Sequence, residues 1–354
     1  MPAVAAVDAG LADALHGLGS PGRPARTDPG LASRCPCPCR RPAVLRTVDG
    51  PETSDRARPS PSYSFYIWRP EMPYVTTEDG VRINVVEKGR PDGRPIVFVH
   101  GLGSSCQAWE GVMAAPGLAD RYRLIAFDLR GHGRSDTVLK PELLTADGPA
   151  AGADLWSRDL DTVVAGLASP ILVGWSFGAG VVQSWLYTHG GLAQAEAAVL
   201  ACAPNVIGPV PPGDPAAGLI TLEGVQALAG AAHAGTAFAR RILANRADDT
   251  SIDADALERV AAVAEATPAE SVAAVLRYLI DFRPFLSTLG AETRARITAV
   301  IADGDQIFDE AAGRTVWDQA GIRTVHVPDA CHALPLREPD RFARLLLDLL
   351  APHD

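Results

Sequence analysis

The chain has 354 residues, 47% of them apolar, enough to bury a large core in one or two domains. Its formal net charge of −10 argues against a general nucleic-acid binder, which needs a basic patch facing the phosphate backbone. No apolar run reaches the length that crosses a bilayer, and no basic segment followed by an apolar one opens the chain, so a soluble, cytoplasmic protein with no membrane partner is expected.

Residues 1–71 are dominated by Ala, Pro, Arg, Gly and Ser without a sustained period, and are expected to form a disordered, low-complexity extension. Three of the six cysteines lie there in Cys35-Pro36-Cys37-Pro38-Cys39. Prolines between the thiols and the lack of a nearby histidine argue against a metal site, and the scattered Cys106, Cys202 and Cys331 do not suggest a disulfide framework. Met72 stands just before the change of composition. Translation from Met72 and a genuine but disordered tail are both open readings, and in either case a chain beginning at Met72 should keep its stability.

Tyr74 to Thr77 and Val81 to Val86 read as strands joined by the turn Glu78-Asp79-Gly80, a hairpin signal. An apolar strand Ile96 to Val99, a helical stretch near Trp109, a strand Arg123 to Phe127 and a helix around 154–167 follow. Strands alternating with helices predict a mostly parallel α/β sheet. Ile171 to Val173 continues it and runs into Gly174-Trp175-Ser176-Phe177-Gly178, ahead of a helix over Val181 to Tyr187. A serine between two glycines at a strand-to-helix turn is a nucleophile elbow. The flanking positions must be small because the turn is tight and the serine Oγ projects above the sheet.

Ala198 to Cys202 adds a strand, and about ninety Ala-rich residues of helical character intervene before the strand Ile297 to Ile301. Residues 205–290 are therefore expected to be an inserted helical cap, with 72–204 and 291–354 as the core. Exchanging the cap should change substrate choice and leave the chemistry intact. The core resumes with a helix from Glu310, the strand Thr324 to Val327 and an amphipathic helix over 339–350 with Pro339 in its first turn.

A serine hydroxyl attacks only if an imidazole takes its proton and a carboxylate fixes that imidazole's tautomer. His332, in a loop after a late strand with the apolar flank Ala333-Leu334-Pro335, is the candidate base. Asp303, Asp305 and Asp309 crowd one loop. Asp305 is favoured as the acid because Ile307 and Phe308 can anchor the loop beside it, and Asp303 remains an alternative. The oxyanion donors expected are the backbone N–H groups of Phe177, after the serine, and Leu102, in His100-Gly101-Leu102-Gly103. His100 reads as a residue that holds this loop by hydrogen bonds, and Cys106 as a buried structural thiol. Trp109, Trp175 and Phe177 read as packing under or lining the pocket.

His100 to Gly103, the segment Asp128-Leu129-Arg130-Gly131-His132-Gly133-Arg134-Ser135-Asp136, the elbow, Asp305, and Cys331 to Pro339 together resemble the α/β-hydrolase superfamily, in its group of esterases, lactonases, epoxide hydrolases and cofactor-free haloperoxidases. The resemblance covers about residues 74–352. It implies the α/β-hydrolase fold and a Ser176-His332-Asp305 triad, with no metal and no organic cofactor, and reads 128–136 as a structural turn, not a phosphate cradle. Two departures stand out. Cys331 replaces the usual glycine before the histidine, and Ala302 the usual glycine before the acid, which keeps Asp303 open. A serine nucleophile argues against dehalogenase or epoxide-hydrolase chemistry. The expected activity is hydrolysis of a small to medium carboxylic ester, lactone or thioester through an acyl-enzyme, with substrate selection in the cap. A perhydrolase, a C–C bond hydrolase and a slow-turnover ligand receptor on the same fold are the alternatives, and oligomeric state is not legible.

Overall fold

Near-continuous apolar runs need cover on both faces, and in the computed structural model they become the centre of an eight-stranded sheet. The structure describes residues 74–139 and 155–351, apart from 193, 204, 208–213, 215, 217–221 and 277–279. The expectations for residues 1–71 and for Met72 lie outside the described residues. No helix among these residues is long and apolar enough to cross a membrane.

Strands β1 (Tyr74–Thr76), β2 (Arg82–Gly89), β3 (Arg94–Val99), β4 (Tyr122–Phe127), β5 (Ile171–Trp175), β6 (Ala197–Ala201), β9 (Ile297–Ala302) and β10 (Arg323–Val327) lie in the order β1-β2-β4-β3-β5-β6-β9-β10. The β1–β2 and β2–β4 pairs are antiparallel and the rest parallel. The turn at Glu78-Asp79-Gly80 joins β1 to β2, with the Thr77 N–H bonded to Val81 O at 2.9 Å and Gly80 at φ +84°. β5 and β9 are buried along their whole length, as two covered faces require.

A 3₁₀ turn (Cys106–Trp109) and α1 (Glu110–Ala114) connect β3 to β4, and α2 (Leu155–Val164) connects β4 to β5. α3 (Phe177–Thr188) leads from β5 to β6, α10 (Glu310–Gln319) from β9 to β10, and α11 (Leu334–Arg337) and α12 (Pro339–Leu349) close the described chain. α3 begins one residue after Ser176, four residues earlier than the sequence pattern suggested, because its glycines fit the crowded first turn.

β4 is laid down on one side of β3 and β5 on the other, so the order of strands reverses at β3 and β5, which pair in parallel with Val99 opposite Gly174. The loops leaving the carboxyl ends of these two strands therefore lie side by side, the position where open α/β sheets bind ligands.

Between β6 and β9 lie β7 (Val206–Ile207), α4 (Leu222–Ala229), α5 (Gly235–Leu243), α6 (Ala254–Glu265), α7 (Ala269–Leu276), β8 (Ile280–Asp281), α8 (Arg283–Thr288) and α9 (Ala291–Ala295). The insertion is not helical throughout. β7 and β8 pair antiparallel, and the Phe282 N–H donates to Asn205 O at 2.9 Å, so a short ribbon ties the two ends of the insertion together.

Candidate functional site

Ser176 has φ +53°, a left-handed backbone in a residue other than glycine, at the junction of β5 and α3. Its surroundings explain the glycines. A β-carbon on Gly178 would collide with the carbonyl oxygens of Val99 and His100, and one on Gly174 would lie 2.6 Å from the Ala179 nitrogen. Small residues are needed because β3, β5 and α3 converge behind the serine.

Three loops bring their side chains together here. His332 Nε2 lies 2.9 Å from Ser176 Oγ, and His332 Nδ1 lies 2.7 Å from Asp305 Oδ2. The other Asp305 oxygen accepts the N–H groups of Ile307 at 2.7 Å and Phe308 at 3.0 Å. Those bonds leave Oδ2 aimed at the imidazole. An ionised carboxylate accepts at Nδ1–H, so the neutral ring presents its Nε2 lone pair to the serine. Ser176 and His332 are buried, the Phe308 ring meets the imidazole edge-on at 5.2 Å, and Trp175 Nε1 donates to His332 O at 2.7 Å.

Asp303 points elsewhere. Its Oδ1 lies 3.0 Å from His326 Nδ1 on β10, and Glu310 lies 3.4 Å from the same nitrogen while also pairing with Arg314. Asp309 accepts the Ala312 N–H at 2.8 Å and caps α10.

Phe177 follows the serine in the chain, and Leu102 follows Gly101, whose backbone packs against the serine. Both are buried, and a β-carbon on Gly101 would lie 3.2 Å from Ser176 Cβ. His100 Nε2 accepts the Leu129 N–H at 3.0 Å, so its Nδ1 carries the hydrogen and donates to Gly101 O at 2.8 Å. Burial holds this imidazole below its ordinary pKa, against the pull of Asp128.

The 128–136 segment is a turn organised by its own first residue. Asp128 accepts from Cys106 N at 2.7 Å, Asn84 Nδ2 at 2.8 Å and Arg134 N at 2.9 Å. A carboxylate thus fills the centre of the loop. Cys106 is buried, and burial pushes its thiol pKa well up, as burial pushes Cys331 up to about 12. Trp109 packs between Phe98 and Phe342, in the core.

Sequence reasoning missed two ion pairs whose carboxylates are fully buried. Arg130 forks onto Asp159 at 2.8 and 2.5 Å and reaches Asp79 at 3.0 Å. Arg337 holds Asp249 at 2.5 Å. No local pattern signals them, since Arg130 and Asp249 stand in polar segments and their partners are distant in the chain. The expected independence of the insertion from the site chemistry also meets an obstacle. Ile242 O, at the end of α5, accepts the N–H of Ala333, the residue after His332, at 2.9 Å.

A model of the alpha/beta hydrolase family matches residues 96–345. A non-heme haloperoxidase of Rhodococcus erythropolis is 37% identical over 139 residues, 38% of this chain and 46% of that protein, so the match spans under half of the relative's length. Among solved structures, an esterase from Rhodococcus sp. ECU1013 superposes with a TM-score of 0.64 at 25% identity, covering 78% of this chain and 97% of the esterase. A bromoperoxidase from Bacillus anthracis gives 0.64 at 21% identity over 79% of this chain and 99% of its own, a likeness of fold alone. With its sheet order, its elbow and a family match over more than half its length, the chain belongs to the alpha/beta hydrolase family.

Proposed function

We propose that this protein is a serine hydrolase that cleaves a small to medium carboxylic ester, lactone or thioester through an acyl-enzyme. The observation that carries the reading is the continuous hydrogen-bonded line Ser176 Oγ, His332 Nε2, His332 Nδ1, Asp305 Oδ2, at 2.9 and 2.7 Å. In the proposed reaction Ser176 Oγ attacks the carbonyl carbon as its proton passes to His332 Nε2, and Asp305 holds the resulting imidazolium. The N–H groups of Leu102 and Phe177 receive the oxyanion, supported by the positive end of α3. The imidazolium then protonates the leaving alcohol or thiol. Water, deprotonated by the same nitrogen, attacks the acyl-enzyme and frees Ser176.

Residues 205–290 are the proposed cap, with α5 over the oxyanion loop. The esterase of similar fold at 25% identity supports the ester class. A second reading, acyl transfer to hydrogen peroxide in place of water, is favoured by the 37% identity to a protein named non-heme haloperoxidase.

A panel of p-nitrophenyl esters, lactones and thioesters of graded chain length, read by kcat/KM with and without hydrogen peroxide, tests both readings. Continuous turnover is expected. A burst that stops at one product per chain would favour a receptor, and no reaction with any member would overturn the proposal.

A further inference from the structure

One stretch of the insertion, residues 242–251, touches both loops that carry the imidazole and its carboxylate. On the histidine side, Ile242 O holds the Ala333 N–H at 2.9 Å, and Asn245 Nδ2 donates to Asp329 O at 2.9 Å. On the acid side, the Asn245 carbonyl lies so close to Gly304 that a β-carbon there would collide with it. Gly304 immediately precedes Asp305, and its own N–H is bonded to Ala330 O at 2.8 Å. The glycine between the two aspartates is thus required by a neighbour from the insertion.

An ion pair with a fully buried carboxylate and a part-exposed guanidinium locks this stretch in place. Arg337, five residues after His332, donates from Nη1 to Leu243 O and to Asp249 Oδ2, the latter at 2.5 Å, and from Nη2 to Ser251 Oγ at 2.8 Å. The Asp249 side chain is 0% exposed. It also accepts Ser251 N at 2.8 Å, Ser251 Oγ at 2.6 Å and Asn245 N at 3.3 Å. Arg337 and then Ser251 hold its carboxyl well below the usual carboxylate range. A carboxylate this buried is stable only while its partners stay in place, so the pair ties the insertion to α11 more firmly than an exposed ion pair would.

We infer that Asp249 and Arg337 are positioning residues for the reaction: they pin residues 242–251 against the loops of Asp305 and His332 and so set the alignment of Asp305, His332 and Ser176. The inference rests on the acyl-transfer reading above. Its physical basis is the steep cost of misalignment, since displacing a reacting group by about 1 Å lowers a rate by roughly a hundredfold. A pair that only stabilised the fold would change the melting temperature and leave the reactivity of the folded serine untouched.

The test measures the second-order rate at which a fluorophosphonate phosphonylates Ser176 with loss of fluoride, together with the downfield proton NMR signal of the His332 Nδ1–H facing Asp305. It compares wild type, Asp249→Asn, and Asp214→Asn, which breaks the Arg283 pair (2.5 Å) elsewhere in the insertion. All are measured where circular dichroism shows them folded. Asp249→Asn should label about ten- to a hundredfold more slowly, with the Nδ1–H signal shifted or broadened, while Asp214→Asn labels within about twofold of wild type. Labelling at the wild-type rate with an unchanged signal in Asp249→Asn would overturn the inference, as would equal slowing in Asp214→Asn. If Asp249→Asn does not fold, Ser251→Ala, which removes one contact to each member of the pair, is read in the same way: severalfold slowing supports the inference and a wild-type rate overturns it. Failure of wild type to label at Ser176 would instead refute the acyl-transfer reading, and the NMR signal would then decide the positioning role by itself.

Discussion

The Leu129 N–H donates to His100 Nε2 at 3.0 Å, and that one bond determines what the rest of the imidazole does. With Nε2 accepting, Nδ1 must carry the hydrogen, and it donates to Gly101 O at 2.8 Å. Gly101 C=O and Leu102 N–H belong to the same planar trans peptide and point in opposite directions. Holding the oxygen toward His100 therefore turns the Leu102 N–H away from it, the orientation that the proposed oxyanion role needs. His100 can thus set the direction of a proposed oxyanion donor.

Replacing His100 by Ala should accordingly lower kcat by about ten- to a hundredfold with KM nearly unchanged, somewhat less than the loss of a whole oxyanion donor. Steady-state kinetics on a p-nitrophenyl ester checks this. A rise in KM at constant kcat would mean that His100 serves ground-state binding instead.

Ser176→Ala removes the covalent route and should lower kcat by several powers of ten while substrate binding survives. More than a tenth of the activity remaining would refute the role of the elbow. The carboxylates separate in the same assay: Asp305→Asn should cost about 10⁴ in kcat, because the amide no longer holds the imidazole's tautomer, and Asp303→Asn should stay within a few-fold. Equal, mild effects would show that the acid lies elsewhere.

How far these assignments were legible in the sequence depends on how local their causes are. The elbow was readable because Gly174 and Gly178 are demanded by backbone only a strand away, and the hairpin because Gly80 sits in a left-handed turn. Sequence favours Asp305 over Asp303 only through the apolar pair Ile307-Phe308 beside it, since the two share a loop. What separates them is that His326 on β10 holds one and His332 the other. Arg130 with Asp159, and Arg337 with Asp249, were invisible because their partners lie 29 and 88 residues apart. Trp175, placed under the pocket from sequence, also holds His332 O, a contact spanning 157 residues. The β7–β8 ribbon escaped notice because two-residue strands carry no period.

Arg130 supplies a stability prediction. Its side chain is 1% exposed and that of Asp159 0%. Burial opposes the guanidinium charge, yet bonds to Asp159 and Asp79 outweigh it and raise the pKa. Asp159→Asn would leave a buried cation with only Asp79 to balance it and should destabilise the fold by about 3 kcal/mol or more, measured by urea unfolding at neutral pH. Replacing Arg130 and Asp159 together by Met and Leu should cost less than Asp159→Asn alone, because no unpaired charge remains. A double variant less stable than the single one would show that the pair adds more attraction than its desolvation costs.

The buried histidines predict how the fold responds to acid. Burial, and then the neighbouring His100, lower the His132 pKa from 6.5 to about 3. Geometry agrees: the two rings meet edge to face at 5.2 Å, and His132 Nε2 is buried without a hydrogen-bond partner among the described residues, so a proton there would be an unpaired charged donor. Above pH 6.5 the ring is neutral in both folded and unfolded chains and contributes nothing to the pH dependence. Between 6.5 and about 3 the unfolded chain binds a proton that the folded chain does not, so stability falls as pH falls. Each such site lowers stability by about 1.4 kcal/mol per pH unit, or on the order of 2 kcal/mol at pH 5 relative to pH 7. His100, lowered in the same direction by burial, adds to the effect. Urea unfolding of wild type at pH 7 and pH 5 should show this loss, and His132→Gln, which carries no titrating ring, should show a smaller difference between the two pH values whatever its own stability. An identical pH dependence in the variant would mean that His132 is protonated in the folded chain and that the acid response comes from other groups.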